Sequence, residues 1–237
     1  MQLKEGKMKL LINKQGLLVS IFGPDGAGKS TQAKLLSNYL KTKGFKVKVA
    51  WVKSYHTLAY VLSNLIAKLS LNTVELNAQG NIIKIKPLQD KRMSRKLWTW
   101  IEFLSVLPVA IIKVWIPVKA GWIVIADRYL LDSIASIAYT INDPTFPDSL
   151  IARLMLGLVP KRAVLIHLDA PYIEIAKRRG KATDPASYIE FLRATCLKLA
   201  RCLNTISLDT SKLTIDEVQQ VIRSAVNKAL NKFQATP

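Results

Sequence analysis

The chain has 237 residues, 50% of them hydrophobic and 22% charged, with 10 Gly and 10 Pro. That composition supplies a buried core and excludes a globally disordered, fibrous or low-complexity chain. Thirty-five Lys and Arg against 16 Asp and Glu leave a net charge of +19, which asks for anionic company without choosing between nucleic acid, anionic lipid and phosphorylated small molecules.

A basic extension, residues 1–15, comes first and lacks the apolar core and cleavage site of a secretory signal. The run Leu17–Phe22, bounded by Gly16 and Gly23, predicts a buried strand. Residues 28–43 carry Ala33, Leu35, Leu36, Tyr39 and Leu40 at helical spacing, and Gly44 stops that helix. Residues 45–52 alternate Lys with Val and Ala, a second strand, and 55–71 repeat apolar positions with helical period. Residues 71–89 read as polar and irregular, with a turn signal over 77–81. Residues 97–118 form an apolar helical stretch that Pro108 and Pro117 are expected to break. It is long enough to span a bilayer, but Glu102 and Lys113 would each cost about 2.5–3.5 kcal/mol there. Buried helices or a dimer face are therefore favoured over membrane contact. Strands follow at 122–126, 163–168 and 205–208, with a helix over 129–139 between the first two. Asp184 before Pro185 reads as the cap of a helix over 187–203, and Thr214-x-x-Glu217 as a capping box opening the last helix.

Strands alternating with helices predict an α/β fold in one domain: a five-stranded parallel sheet covered by helices on both faces. Cys196 and Cys202 fall six residues apart on one predicted helix, about 9 Å, beyond the ~7 Å reach of a disulfide. Two Cys and the distant His56 and His167 offer no zinc spacing. Reduced cysteines place the protein inside the cell, in the cytoplasm.

Gly23-Pro24-Asp25-Gly26-Ala27-Gly28-Lys29-Ser30 fits G-x-x-x-x-G-K-[ST] between a predicted strand and a predicted helix, the context that pattern requires. Backbone N–H groups of such a loop and the helix N-terminus wrap phosphate oxygens. Lys29 is expected to reach the outer phosphates and Ser30 to ligate Mg²⁺. Asp127 ends the third strand, where a carboxylate faces the ligand crevice and can hold the metal; capping the next helix is its other reading. Arg128 either clamps a substrate phosphate or is solvated. Asp169 ends a strand before Pro171 and reads as a cap. The run 177–181, continuing to 185, is a basic lid that brings Arg178 or Arg179 onto transferring phosphates, or else an exposed basic helix end.

Taken together, the segment 22–31, Asp127-Arg128-Tyr129, and Leu168-Asp169 with the basic lid resemble the thymidylate kinase family of P-loop nucleoside monophosphate kinases. The helix over 186–203 and the stretch from Leu208 to Val218 extend the likeness, which runs from Gly16 onward. The resemblance implies the P-loop NTP hydrolase type of fold and transfer of the γ-phosphoryl of ATP to dTMP, giving dTDP and ADP with Mg²⁺, a step of nucleotide biosynthesis. It implies ATP held by residues 23–31, including Thr31, and a metal held by Ser30 and Asp127. Asp25 would contact the deoxyribose hydroxyl of the acceptor and Arg128 its phosphate. Lys29, Arg128, Arg178 and Arg179 would be the catalytic cations. Gly26, where some members carry an arginine, puts the catalytic arginine in the lid, Arg179 being favoured beside Gly180 and the other left in solvent. Family members are homodimers joined by helices, which gives residues 97–118 a use.

Three departures stand out. Residues 52–56 replace the family's Arg-Glu-Pro segment, and Asp184-Pro185 stands where Asp-Arg is common. In 93–105 the thymine-holding pair is not recognisable, leaving Arg95, Trp100 and Phe103 as the substrate-binding candidates. The alternatives are a kinase of the same fold with another small-molecule acceptor, or a basic P-loop binding protein on nucleic acid or membrane; with a kinase, no nucleic-acid partner is expected.

Overall fold

Leu17–Phe22 (β1) is buried at all six positions because it is the middle strand of a sheet covered on both faces. Leu17, Val19 and Ile21 enter one apolar core, Leu18 and Phe22 the other, as the two-residue period of a strand requires. The computed structural model describes residues 16–52, 58–69, 74–76, 78, 80, 82–85 and 92–234. The basic extension 1–15 and most of the 52–56 segment, with His56, lie outside the described residues.

After β1 come α1 (Lys29–Thr42), β2 (Val47–Ala50), α2 (Leu58–Leu69), β3 (Val74–Leu76), β4 (Ile82–Ile85) and α3 (Arg92–Ala110). Then follow α4 (Ile116–Lys119), β5 (Ile123–Asp127), α5 (Leu130–Thr140), α6 (Leu150–Gly157), β6 (Val164–Asp169), α7 (Tyr172–Arg179), α8 (Ala186–Cys202), β7 (Ile206–Asp209) and α9 (Ile215–Gln234). The five-stranded sheet has the order β2-β5-β1-β6-β7, and every pairing in it is parallel. Helices α1 and α9 cover the face carrying Leu17, Val19 and Ile21; α3, α5 and α8 cover the other. The expected fold class is the one observed.

Two elements differ from the sequence reading. The stretch expected to be irregular holds a two-stranded antiparallel hairpin, β3–β4, whose register shifts between Glu75 and Leu76. Strands of three and four residues carry too little pattern to be read alone, and this pair is held from outside. Tyr139 Oη donates to Glu75 Oε1 at 3.1 Å and Thr140 Oγ1 to the Ile83 carbonyl at 3.0 Å.

The prolines, in turn, do not end the long helix. Pro108 lies inside α3, which runs through a π-helical turn, Ile111–Trp115, into α4, where Pro117 occupies a first-turn position. Proline has no N–H to give the preceding turn, and the π turn upstream absorbs that misfit without ending the helix. Trp98, Val106, Ala110 and Val114 face the core, whereas Met93, Leu97, Trp100, Leu104, Ile111, Ile112 and Ile116 are exposed. Among the described residues this is the one helix long and apolar enough to cross a membrane, and only 28% of its most apolar window is buried. Cys196 and Cys202 both lie on α8 and are free thiols.

Candidate active site

The chain leaves β1 at Phe22 and turns sharply at Gly23, where φ is +137°. A Cβ there would collide with the Leu168 carbonyl of β6, so only glycine lets the loop cross this strand so closely. The loop closes on the Lys29 amine, which is 4% exposed and donates to the Gly23 carbonyl at 2.6 Å, the Pro24 carbonyl at 2.8 Å and Asp25 Oδ1 at 3.2 Å. Ser30 and Thr31 stand exposed on the first turn of α1.

Beside this loop ends β5, whose register pairs Asp127 with Ile21. Asp127 Oδ1 is buried and meets no hydrogen-bond partner among the described residues. A carboxylate oxygen withdrawn from water without a donor is costly unless a cation or its water completes it, which fits a magnesium ligand. Among the described residues no three His, Cys, Asp or Glu cluster as a closed metal site. A nucleotide-borne Mg²⁺ needs none, since phosphates and water fill most of its shell.

Arg128 follows in a left-handed conformation, φ +76°, rare for a residue with a side chain. Its N–H donates to the Ile21 carbonyl at 3.2 Å, its carbonyl accepts from Val52 N–H at 3.3 Å, and its guanidinium is ion-paired with Asp25. Burial works against its charge, but Asp25 and Asp132 outweigh that and hold it protonated above the ordinary arginine range. Asp132, 4% exposed, accepts from Gly23 N–H at 3.2 Å and Tyr129 N–H at 3.1 Å. Burial raises its pKa, opposed by Lys29 and Arg128. The sequence reading missed Asp132; its one signal was an acid at the third position of the helix after Asp-Arg-Tyr, where it can cap its own helix.

Helix α7 packs directly on the loop because residue 26 is glycine. A Cβ at Gly26 would stand 2.9 Å from Ile175 Cγ2 and 3.0 Å from Arg179 Cδ. Arg178 donates to the Gly26 carbonyl at 3.3 Å and to Thr210 at 3.0 and 2.6 Å, while Arg179 pairs with Asp184 at 3.1 Å. Both arginines thus meet the loop, one by its head and one by its stem, Arg178 being exposed and Arg179 partly buried. The helix presents an edge rather than a single face.

Neither expected cap forms. The residue capping α7 is Pro171 and that capping α8 is Pro185, each without a side-chain bond. Asp169 instead meets Arg193 through two bonds of 2.9 Å, the planar fork matching both carboxylate oxygens. Asp184, its side chain fully buried, takes Arg179 and the Ala78 N–H at 3.0 Å, since a charge so placed needs partners stronger than a cap. The Thr214–Glu217 capping box forms on α9.

Arg95, Trp100 and Phe103 are gathered elsewhere. Arg95 and Trp100 line a cleft of about 450 Å³ with Ile141, Asp143 and Phe146, at the far end of α5 from Arg128. That is about 15 Å along an eleven-residue helix. Phe103 meets Trp100 edge-on, ring centroids 5.9 Å apart.

The parallel sheet, the glycine loop between β1 and α1 and the basic helix packed on it define a nucleotide-binding α/β protein of the P-loop kinase class. No family profile matches the chain. Its sequence is 25% identical to a probable thymidylate kinase of Archaeoglobus fulgidus, over 91% of this chain and 97% of that one. It is 26% identical to the thymidylate kinase of Thermosipho africanus, over 90% and 99%, and 26% to that of Desulfotalea psychrophila, over 92% and 98%. The likeness, nearly end to end, is to the thymidylate kinase family.

Proposed function

We propose that the protein is a cytoplasmic, ATP-dependent nucleotide kinase of the thymidylate kinase type that transfers the γ-phosphoryl of ATP to dTMP, giving dTDP and ADP. The observation that carries this reading is the charge chain Lys29–Asp25–Arg128, which joins the donor loop to the corner after β5. A plain nucleotide-binding loop has no use for the second cation. The full-length similarity to thymidylate kinases points the same way.

In this reading the loop amides and the N-terminus of α1 receive the donor phosphates, and Lys29 exchanges loop carbonyls for phosphate oxygens. Ser30 and Asp127 would hold Mg²⁺, which when bound neutralises charge on the two outer phosphates. Arg128 holds the acceptor phosphate in line, and Asp25 reads the sugar hydroxyl. An acceptor phosphate oxygen is already anionic near neutral pH, so the site requires no general base. Of Arg178 and Arg179, both packed against Gly26, Arg179 meets charge that develops on the transferred group. The exposed apolar side of α3 joins two copies in a homodimer, and residues 1–237 act as one domain with 177–185 as its lid.

The position of Arg95, Trp100 and Phe103, away from the loop, favours a second reading in which the acceptor is another phosphorylated small molecule. ADP release, coupled to a spectroscopic readout, measured with dTMP, dUMP, AMP, GMP and CMP separates the two. Turnover fastest with dTMP supports the first. Tight MgATP binding with no turnover on any nucleotide overturns it.

A further inference from the structure

Gly23 opens the phosphate loop and Tyr129 opens α5, and one carboxylate bonds both. We infer that Asp132 is a positioning residue that ties the donor loop to the corner carrying Arg128, and so fixes the two phosphates against each other. The inference rests on the kinase reading above.

The tie spans 109 residues of sequence, Asp132 Oδ1 taking Gly23 N–H at 3.2 Å and Oδ2 taking Tyr129 N–H at 3.1 Å. Both donors are backbone groups, so neither can turn away, and the acceptor is 4% exposed, so water does not replace it. An ionised carboxylate is acceptor-only and meets two donors at once. An amide would turn its NH₂ against one of them, and a serine hydroxyl is too short to span both. Lys29 and Arg128 oppose the cost of burying that charge.

The corner needs such a constraint. Arg128 sits at φ +76°, and left-handed residues with side chains persist only where their surroundings over-determine them. Here three hydrogen bonds do so: Arg128 N–H to the Ile21 carbonyl, Val52 N–H to the Arg128 carbonyl, and Tyr129 N–H to the Asp132 carboxylate. The last is also the one that reaches the donor loop. Two consequences follow. Gly23 N–H is committed to Asp132 and is not a phosphate donor. Loosening the tie misplaces the Arg128-bound phosphate relative to the donor, and a misplacement of about 1 Å costs about 10²-fold in rate.

The experiment has two arms. In steady-state kinetics, Asp132→Asn is expected to lower kcat about 100-fold while the KM values for ATP and dTMP stay within threefold. A folded variant with kcat within threefold of wild type overturns the inference, as does a loss carried by both KM values, which a merely structural role would give. In the wild-type protein, amide exchange and ¹⁵N shifts are followed with and without MgATP. Gly23 N–H should stay protected and unmoved while Ala27, Gly28 and Lys29 amides shift. A Gly23 amide that exchanges like Gly26, or shifts with the others, overturns the tie even if the Asn variant fails to fold. Absence of turnover in the wild type with a protected Gly23 removes the kinase reading and leaves the tie standing.

Discussion

Asp25 of the phosphate loop is ion-paired with Arg128 of the corner after β5, 103 residues away, and the same carboxylate oxygen lies 3.2 Å from the Lys29 amine. One acid thereby holds both cations that the proposed reaction assigns to opposite substrates. The side chains of Asp25 and Arg128 are 12% and 17% exposed, so the pair is shielded enough to matter yet open to exchange for phosphate.

Arg128 separates side-chain function from backbone strain. Arg128→Ala and Arg128→Gly both remove the guanidinium and should raise the acceptor KM more than tenfold, with ATP binding little changed. They should differ in stability. At φ +76° alanine suffers the left-handed clash of about 1 kcal/mol that glycine avoids. For a chain of this size that is about 2–4 °C, with Arg128→Gly melting higher. Equal melting temperatures would show that the corner relaxes on losing the side chain.

Lys29 and the metal ligands come next. Lys29→Ala should lower turnover by more than about a hundredfold while far-UV circular dichroism is unchanged. Asp127→Asn should raise the Mg²⁺ concentration needed for half-maximal rate, and chelation should stop the wild type. Lys29→Ala with near-normal turnover would remove the kinase reading outright.

The sheet and the loop were legible because each rests on local pattern. Leu17–Phe22 is apolar but for Ser20, and the loop glycines are tied to backbone shape that residues with side chains rarely adopt. Non-local partners were not legible. Asp169 and Asp184 look like caps from their neighbours, but Arg193 and Arg179 outbid the local N–H groups, and nothing near either acid announces that. Asp132 was missed for the same reason, its second partner lying across the fold at Gly23. The π turn after Ala110 escaped because proline in a helix reads as a break unless a neighbouring turn takes up the misfit.

In the lid, Arg179→Ala should lower kcat by about 10³ or more with ATP affinity nearly unchanged, and Arg178→Ala by less than about tenfold. Arg178 is occupied by Thr210 and the Gly26 carbonyl, whereas Arg179 has one charged partner to exchange. Gly26→Ala should also impair turnover, because its Cβ pushes Ile175 and the Arg179 stem off the loop. Normal kcat in both arginine variants would pass the role to Arg128.

The exposed side of α3 and the π turn after it carries Met93, Leu97, Trp100, Leu104 and Ile111, spaced four, three, four and seven apart, the spacing expected of a helix that pairs with another. Light scattering should give a soluble dimer for the wild type and a monomer for Leu97→Glu with Leu104→Glu. A wild-type monomer that needs detergent and sediments with anionic vesicles would assign this side to a membrane instead.

His167 makes the acid limb of stability predictable. It lies in β6, fully buried, with Nδ1 2.7 Å from Ser207 Oγ and Nε2 without a partner among the described residues. Burial pushes its pKa down to about 4 from the ordinary 6.5; Asp169 opposes this, and Lys29 and Arg193 add to it. Above pH 6.5 the ring is neutral folded and unfolded, and it contributes no pH dependence. Between 6.5 and 4 the unfolded chain takes a proton that the folded chain refuses, so stability falls as pH falls. At 1.36 kcal/mol per unit the loss by pH 4 is roughly 3 kcal/mol. His167→Gln keeps a polar group toward Ser207 but cannot titrate. Denaturant unfolding at pH 7 and pH 4 should therefore show the wild type losing roughly 3 kcal/mol more than the variant. The lowered carboxylates Asp209 and Glu217 titrate alike in both proteins and cancel from that difference. Equal losses would mean that water reaches the ring and that His167 charges as readily folded as unfolded.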